Sequence, residues 1–415
     1  MSRHPLKTPL RLLPDDPLRL GVGKVDAQHV EIVAHGEPGN VAAEPFKNIE
    51  TVAFVVNQPR DDFKLTPIIL DEVRDDEVLV EMKYSGIFLQ QGLLPMVEFP
   101  AVFGHEGAGI VRAIGGAVRI PDLKVGDAVA LSFNTCGTCK PCSSDNPAFC
   151  HAHPAVNHNA VRLSDRSTPG RSMDGRSIRT QYFGQSSFSK MSVINEKCVV
   201  KCPHPENLHL YAPLGCGFQT GAGTVLNVLK PSLDDSMVIF GLGSVGLAAL
   251  MAASHLGVSN LIAVDIMPSR LELARELGAT ETLNSRNQPD IVAAIKKLTC
   301  GGATFAVDCT GIPKVLEDTI DCIGPLGTAA LVGVSPAGAK IQLNPLEFLL
   351  ENKKLVGVVE GGSNPRVFIP ELIELHQAGN FPIERLCKKY HYSELPQAVK
   401  DMNAGKVIKP VIEWS

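Results

Sequence analysis

Long apolar runs are missing from this chain. None reaches about 18 uninterrupted residues, the length a helix needs to cross a bilayer, so no membrane span is expected. Basic runs longer than a few residues are also missing, and the formal net charge is −5. Nucleic acid and anionic membrane surfaces are therefore not expected as partners. Internal repeats and low-complexity tracts do not occur, which argues against a repeat array. The first residues carry Arg3, Lys7, Arg11 and Arg19, but also Asp15, Asp16 and four prolines, without an apolar core segment. That pattern does not fit a secretory signal, and an organelle transit peptide stays open but is poorly supported, given the acids. Residues 1–48 are expected to be a loosely ordered N-terminal extension, or the product of a start site placed too early. The eleven cysteines suggest no disulfide framework, which points to a reducing compartment and a cytoplasmic location.

What is present fits an ordinary globular protein. The 415 residues suffice for two domains with full cores, and 44% hydrophobic against 20% charged residues is a balanced composition. From about Ile49 the pattern is β-rich. Glu77–Met82 sets Val78, Val80 and Met82 on one face and Glu77 and Glu81 on the other, as in a half-buried strand, with Leu79 breaking the alternation. Ala108–Ile114 and Ala128–Phe133 continue the style, which predicts a small barrel-like β domain.

After Pro213 strands and helices alternate. Apolar strands are expected at 236–240, 261–264, 305–308 and 328–334, with helices running to His255 and over 270–277 and 315–323. This rhythm predicts a parallel, doubly wound sheet, so the fold class is α/β. Cys300, Cys309 and Cys322 read as core thiols.

Two motifs carry chemistry. Cys136, Cys139, Cys142 and Cys150 follow the spacing C-x2-C-x2-C-x7-C in a loop rich in turn formers and poor in apolar residues. Tetrahedral zinc takes four thiolates at about 2.3 Å, and such a closed shell is structural rather than catalytic. The alternative, unrelated thiols or two disulfides, fits the spacing poorly. The second motif is Gly241-Leu242-Gly243-Ser244-Val245-Gly246, between an expected strand and helix, with Asp265 about 20 residues on. Here Gly241 permits the turn, Gly243 lets backbone approach a pyrophosphate, and Gly246 lets the helix pack on the strand. Asp265 can accept from both ribose hydroxyls and would repel a 2′-phosphate, which favours NAD over NADP. Arg270 either stands beside the adenosine ribose or is a solvated helix charge. Lys409 either faces the pyrophosphate or is solvated.

A further pair is weak residue by residue. His105 and Glu106 lie in a glycine-rich turn (Gly104-His105-Glu106-Gly107), and Cys216 stands in Leu214-Gly215-Cys216-Gly217. Taken with Phe99–Val111, the cysteine loop, Phe183–Phe188, Leu214–Thr224 and Gly357–Pro365, they make the chain from about residue 49 onward resemble the zinc-dependent medium-chain alcohol dehydrogenases, nearest the aryl- or benzyl-alcohol branch.

The resemblance implies a GroES-like catalytic domain over 49–217 that resumes at 361–415, and a Rossmann domain over 218–360. It implies a catalytic zinc held by His105 and Cys216 with Glu106 nearby, NAD as cofactor, a small alcohol/aldehyde substrate, and dimers or tetramers formed through the nucleotide domains. The family's remaining ligand belongs to a Gly-x-Cys-His-Thr-Asp-like segment. This chain reads Ser85-Gly86-Ile87-Phe88-Leu89-Gln90-Gln91-Gly92 there, and no cysteine precedes Cys136. Three readings follow: codons lost at an exon edge, Glu106 as replacement ligand, or no catalytic zinc. The last would make the chain a zinc-independent reductase, a non-redox enzyme on the same fold, an impaired member, or a nucleotide-binding protein without turnover. The four arginines Arg162, Arg166, Arg171 and Arg176 read as a solvated face.

Overall fold

In a computed structural model of the chain, residues 47–87 and 97–414 are described. Nearly all of the expected extension (1–46 of 1–48) and the Phe88–Gly92 part of the segment lacking the family's ligand lie outside them.

Two antiparallel-rich sheets form the first lobe. One runs Ala101–Val102, Ile49–Val56, Lys64–Leu70, Gly170–Ser172, Ser177–Ile178. The other is centred on Glu77–Gly86, which pairs with Gly107–Ile114, Met191–Asn195 and the C-terminal strand Lys409–Glu413. The C-terminus thus returns to the first lobe and brings Lys409 with it. Between the sheets lies a core that includes Val78, Val80, Met82, Val111, Val193 and Trp414.

The strand Glu77–Gly86 departs from the half-buried expectation. Both of its faces are covered, and Glu77 and Glu81 are buried with the valines. Each acid has a cationic partner, which is the condition for burying a carboxylate. Glu81 meets Lys83 and Arg112. Glu77 accepts from Arg162 at 2.7 Å, and Arg162 also clasps Asp71 at 2.8 Å through both terminal nitrogens. Arg162 is 4% exposed, so it is no part of a solvated face. Arg166 and Arg176 are exposed as expected. Cys300 is also corrected: it is exposed, whereas Cys322 is buried. It closes the helix-to-strand turn with positive φ beside two glycines, where a thiol has no core to enter.

The second lobe is a six-stranded sheet in the spatial order Glu281–Asn284, Asn260–Asp265, Ser236–Phe240, Ala303–Asp308, Ile323–Leu331, Lys354–Gly357. All its neighbours pair in parallel. Numbered along the chain from Ser236, the order is 3-2-1-4-5-6, the Rossmann arrangement, with a ligand crevice where the order reverses. The central strand feeds two cores: Met237 and Ile239 face one, Val238 and Phe240 the other. Helices therefore cover both faces, as parallel sheets require. The helix Ser244–His255 is buried along most of its length and packs on Gly217–Gly223. That approach needs glycine: a Cβ on Gly221 would stand 2.0 Å from the carbonyl oxygen of Val245.

Candidate active site and metal centres

The cysteine loop is assembled as its spacing predicts. The four sulfurs of Cys136, Cys139, Cys142 and Cys150 lie within 4.8 Å of one another. Sulfurs on a tetrahedral shell of radius about 2.3 Å stand about 3.8 Å apart. Here the Cys139–Cys142, Cys139–Cys150 and Cys136–Cys142 pairs measure 3.4, 3.9 and 4.0 Å. Backbone N–H groups of Cys139, His151 and Cys136 donate to the sulfurs of Cys136, Cys139 and Cys150. All eleven cysteines are free thiols, so the disulfide alternative is set aside. Crowded thiols cannot all ionise without a cation. Burial and the Cys139 sulfur push Cys142 up to about 12. Burial also opposes ionisation of Cys136, but the amides of Thr138 and Cys139 outweigh it and bring that thiol down to about 6. The donor set fits one tetrahedral, thiophilic ion.

The glycine turn has the geometry its three glycines predict. Gly241 has φ of +86°, which disfavours any side chain. A Cβ on Gly246 would stand 1.9 Å from the Gly241 carbonyl oxygen, so helix and turn are in direct contact there. Gly243 faces open space, with nothing within 4 Å of such an atom. A pyrophosphate can therefore reach the amides opening the helix at Ser244. Asp265 ends its strand beside this turn. Its carboxylate accepts from the amides of Leu242 at 2.7 Å and Met267 at 2.8 Å. Arg270 stands 3.9 Å from Asp265, mostly covered, and its Nε is buried without a hydrogen-bond partner among the described residues. A bound polar group is what that nitrogen lacks.

Between the lobes, His105, Glu106, Cys216 and Lys409 are all buried. Lys409 Nζ donates to both oxygens of Glu106 at 2.9 Å, and Glu106 Oε1 also accepts from the Gly217 amide at 2.9 Å. The solvated alternative for Lys409 is thereby overturned. A Cβ on Gly217 would come within 3.3 Å of both Lys409 Nζ and Ser244 Oγ, so the ammonium shares a neighbourhood with the start of the glycine-turn helix. Cys216, one residue earlier, is thus carried to the same junction.

Glu360 was not singled out from the sequence. It is 6% exposed, and its Oε1 lies 3.5 Å from the Cys216 sulfur. Burial, with Glu106 nearby, raises its carboxyl to about 8. Burial, then the same two acids, lifts the Cys216 thiol well above its ordinary range. His105 stacks on Phe183 with centroids 4.5 Å apart and meets Tyr182 edge-on at 5.8 Å. Burial, then Lys409 and His158, holds its imidazole down to about 3. It is therefore neutral at physiological pH, the form that binds metal. Tyr182 is raised by burial, then by the charges of Cys216 and Glu360 in its neighbourhood. Phe103, Tyr182, Phe183 and His158 form an aromatic wall, with successive ring centroids 5.0–5.2 Å apart. The only advance sign of Glu360 was an acid between Val359 and two glycines, in a position otherwise reading as a turn.

Comparison with known proteins agrees with this geometry. The Zinc-binding dehydrogenase family model matches residues 244–377, and the Alcohol dehydrogenase GroES-like domain model matches 74–204. Geraniol dehydrogenase from Castellaniella defragrans is 36% identical over 370 residues, covering 88% of this chain and 98% of that protein. The crystal structure of benzyl alcohol dehydrogenase from Acinetobacter calcoaceticus superposes with a TM-score of 0.83 at 40% identity, covering 88% and 99% of the two chains. An alcohol dehydrogenase zinc-binding domain protein from Burkholderia ambifaria gives 0.85 at 38%, covering 89% and 100%. The chain belongs to the zinc-dependent medium-chain alcohol dehydrogenase family.

Proposed function

We propose that this protein is an NAD-dependent, zinc-assisted dehydrogenase interconverting a primary aromatic or allylic alcohol and its aldehyde. The observation that carries the reading is the junction itself. Cys216 and the Glu106–Lys409 pair sit beside the first turn of the glycine-turn helix, with an aromatic wall flanking His105. In this reading His105 and Cys216 hold a zinc ion, whose Lewis acidity favours the alkoxide form of an alcohol near neutral pH. NAD supplies the hydride acceptor.

The remaining roles belong to the chain's own residues. Gly243 and the Ser244 amide receive the pyrophosphate, and Lys409 adds positive charge near it. Asp265 accepts from the ribose hydroxyls, and Arg270 stands beside the ribose. The rings of Phe103, Tyr182, Phe183 and His158 offer a flat apolar surface that suits a planar, unsaturated alcohol and excludes water. Glu106 supplies the counter-charge that lets the buried Lys409 ammonium stand at the junction. The cysteine loop holds a second, structural zinc. In this division of the chain, 49–217 and 361–415 form the catalytic domain, and 218–360 the nucleotide domain.

The protein also works as a homo-oligomer in the cytoplasm. Leu346, Leu349 and Leu350 are 63%, 74% and 75% exposed, next to the edge strand Lys354–Gly357. An exposed apolar helix beside an open sheet edge is a surface a second copy can cover. No helix among the described residues is long and apolar enough to cross a membrane.

The test is NADH formation by zinc-loaded protein offered aromatic, allylic and saturated primary alcohols, with NADP as the competing cofactor. Turnover of the unsaturated alcohols with NAD supports the reading. NADH binding without turnover of any alcohol would instead leave a nucleotide-binding protein or a different chemistry in the same cleft.

A further inference from the structure

Among the described residues, only the cysteine loop brings three or more ligand atoms within 4.8 Å of one another. The junction is looser. The family ligand set calls for a third protein group there, and Glu106 is poorly placed to give it. Both of its oxygens are taken by Lys409, and one also by the Gly217 amide. Freeing Glu106 would strand a fully buried ammonium.

Glu360 stands differently. One oxygen, Oε2, accepts from Gln219 Nε2 at 3.2 Å. Gln219 is itself fixed, donating to Gly215 O and Ser132 Oγ and accepting from Ser363 Oγ. The other oxygen, Oε1, is directed at the Cys216 sulfur. The 3.5 Å between that oxygen and the sulfur is about the spacing of a carboxylate oxygen and a thiolate on one tetrahedral zinc shell.

The backbone is committed to this placement. Glu360 has a φ of +48°, a strained value for a residue with a side chain. The next residue, Gly361, is pressed against the helix Gly217–Gly223: a Cβ on Gly361 would stand 2.3 Å from the Gln219 carbonyl oxygen, and one on Gly223 2.4 Å from that of Gly361. Strain held in place by tight packing, with a carboxylate aimed at a thiol, has the character of a functional site.

We infer that Glu360 is the third protein ligand of the junction cation, joining His105 and Cys216 through Oε1. This rests on the reading that a zinc ion sits at the junction. It makes the first shell one nitrogen, one sulfur and one oxygen, harder than the family's two thiolates. It also explains how the chain can hold an ion without a cysteine before Cys136. His105 lies outside 4.8 Å of at least one of the other two, so this ion binds after the cysteine-loop ion and more weakly.

The test uses the full chain, freed of metal by a chelator and titrated with zinc alone against a chromophoric chelator. Wild type, Cys216→Ser, Glu360→Gln, Glu360→Asp and Glu106→Gln are compared, with NADH binding as the check on folding. Wild type is expected to take about two ions per chain. Cys216→Ser and Glu360→Gln should keep the tight ion and weaken the second by about tenfold or more, with Glu360→Asp recovering part of the loss. If wild type and Cys216→Ser both take only one ion, the zinc reading of the junction fails. If wild type takes two and Cys216→Ser loses one, while Glu360→Gln binds as wild type does or Glu106→Gln alone empties the site, the assignment of Glu360 is overturned and the zinc reading stands.

Discussion

The two candidate metal centres are built in opposite ways. The cysteine loop draws four ligands from a single stretch, 136–150, with backbone amides of the same loop donating to the sulfurs. The junction gathers His105, Cys216, Glu360 and Lys409 from both lobes, each fixed by a different element. A local site costs little chain entropy to close and depends on its ion for order. A long-range site is held by the fold and uses its ion for chemistry. Substitutions should separate the two.

The largest effect belongs to the loop. Cys139→Ser removes a sulfur that touches two of the others, from a segment with little core of its own. A structural zinc contributes on the order of 10–16 kcal/mol to the segment that folds around it. The variant should lose its tight ion and yield little soluble protein, as judged by metal content and thermal melting. A normal melting curve at one ion fewer would show that the loop stands without its metal.

Next comes the junction. Cys216→Ser should leave the melting temperature within a few degrees of wild type, because the helix Gly217–Gly223 and its packing are unchanged. Alcohol oxidation should fall by about a thousandfold, the scale on which transition-state charge stabilisation is lost. Steady-state kinetics with NADH binding as a control reads this out. Equal losses of stability in the two variants would erase the contrast between the sites.

How much of each region could be read from sequence follows from the same contrast. The cysteine loop and the glycine turn are local patterns, and the structure brings the four sulfurs together and gives the three glycines the close contacts and backbone freedom that the spacing predicts. From Ser236 onward the apolar runs marked the four inner strands, the last of them displaced (328–334 against Ile323–Leu331), and missed the two short edge strands Glu281–Asn284 and Lys354–Gly357. Glu77 and Glu81 misled, because alternation reports polarity and cannot see that a cation 85 residues away, Arg162, turns a polar face into a buried one. Glu360 was missed for the same reason. Its meaning lies in its approach to Cys216, 144 residues distant, and its left-handed backbone leaves no trace in composition.

Arg162 provides the intermediate case, a long-range polar site without chemistry. Arg162→Met leaves Glu77 buried without its cation and Asp71 without its fork. Breaking a buried pair by deleting one member costs about 3–5 kcal/mol. Urea unfolding should show that loss in the midpoint, and zinc content should stay as in wild type. Loss of the junction ion in this variant would mean that the metal site and the sheet scaffold are not separable.

The smallest effect sharpens the comparison on the cofactor side. Asp265 does two jobs at once. Its carboxylate accepts from the amides of Leu242 and Met267, which shapes the turn, and it presents negative charge where a ribose would lie. Asp265→Asn keeps one of the two acceptor oxygens, so one of the Leu242 and Met267 amide bonds is lost and the other still holds the turn, while repulsion of a 2′-phosphate disappears. Arg270, 3.9 Å away, is then no longer paired and can meet that phosphate. The ratio of kcat/KM with NAD to that with NADP should fall by about 10–100-fold, equivalent to about 1–3 kcal/mol for a single charge-assisted hydrogen bond. Asp265→Asn combined with Arg270→Ala should give back most of that shift, because the second change removes the cation that would hold the phosphate. A preference that does not move in the single variant would mean that cofactor choice is set elsewhere in the cleft, and that Asp265 serves only the turn.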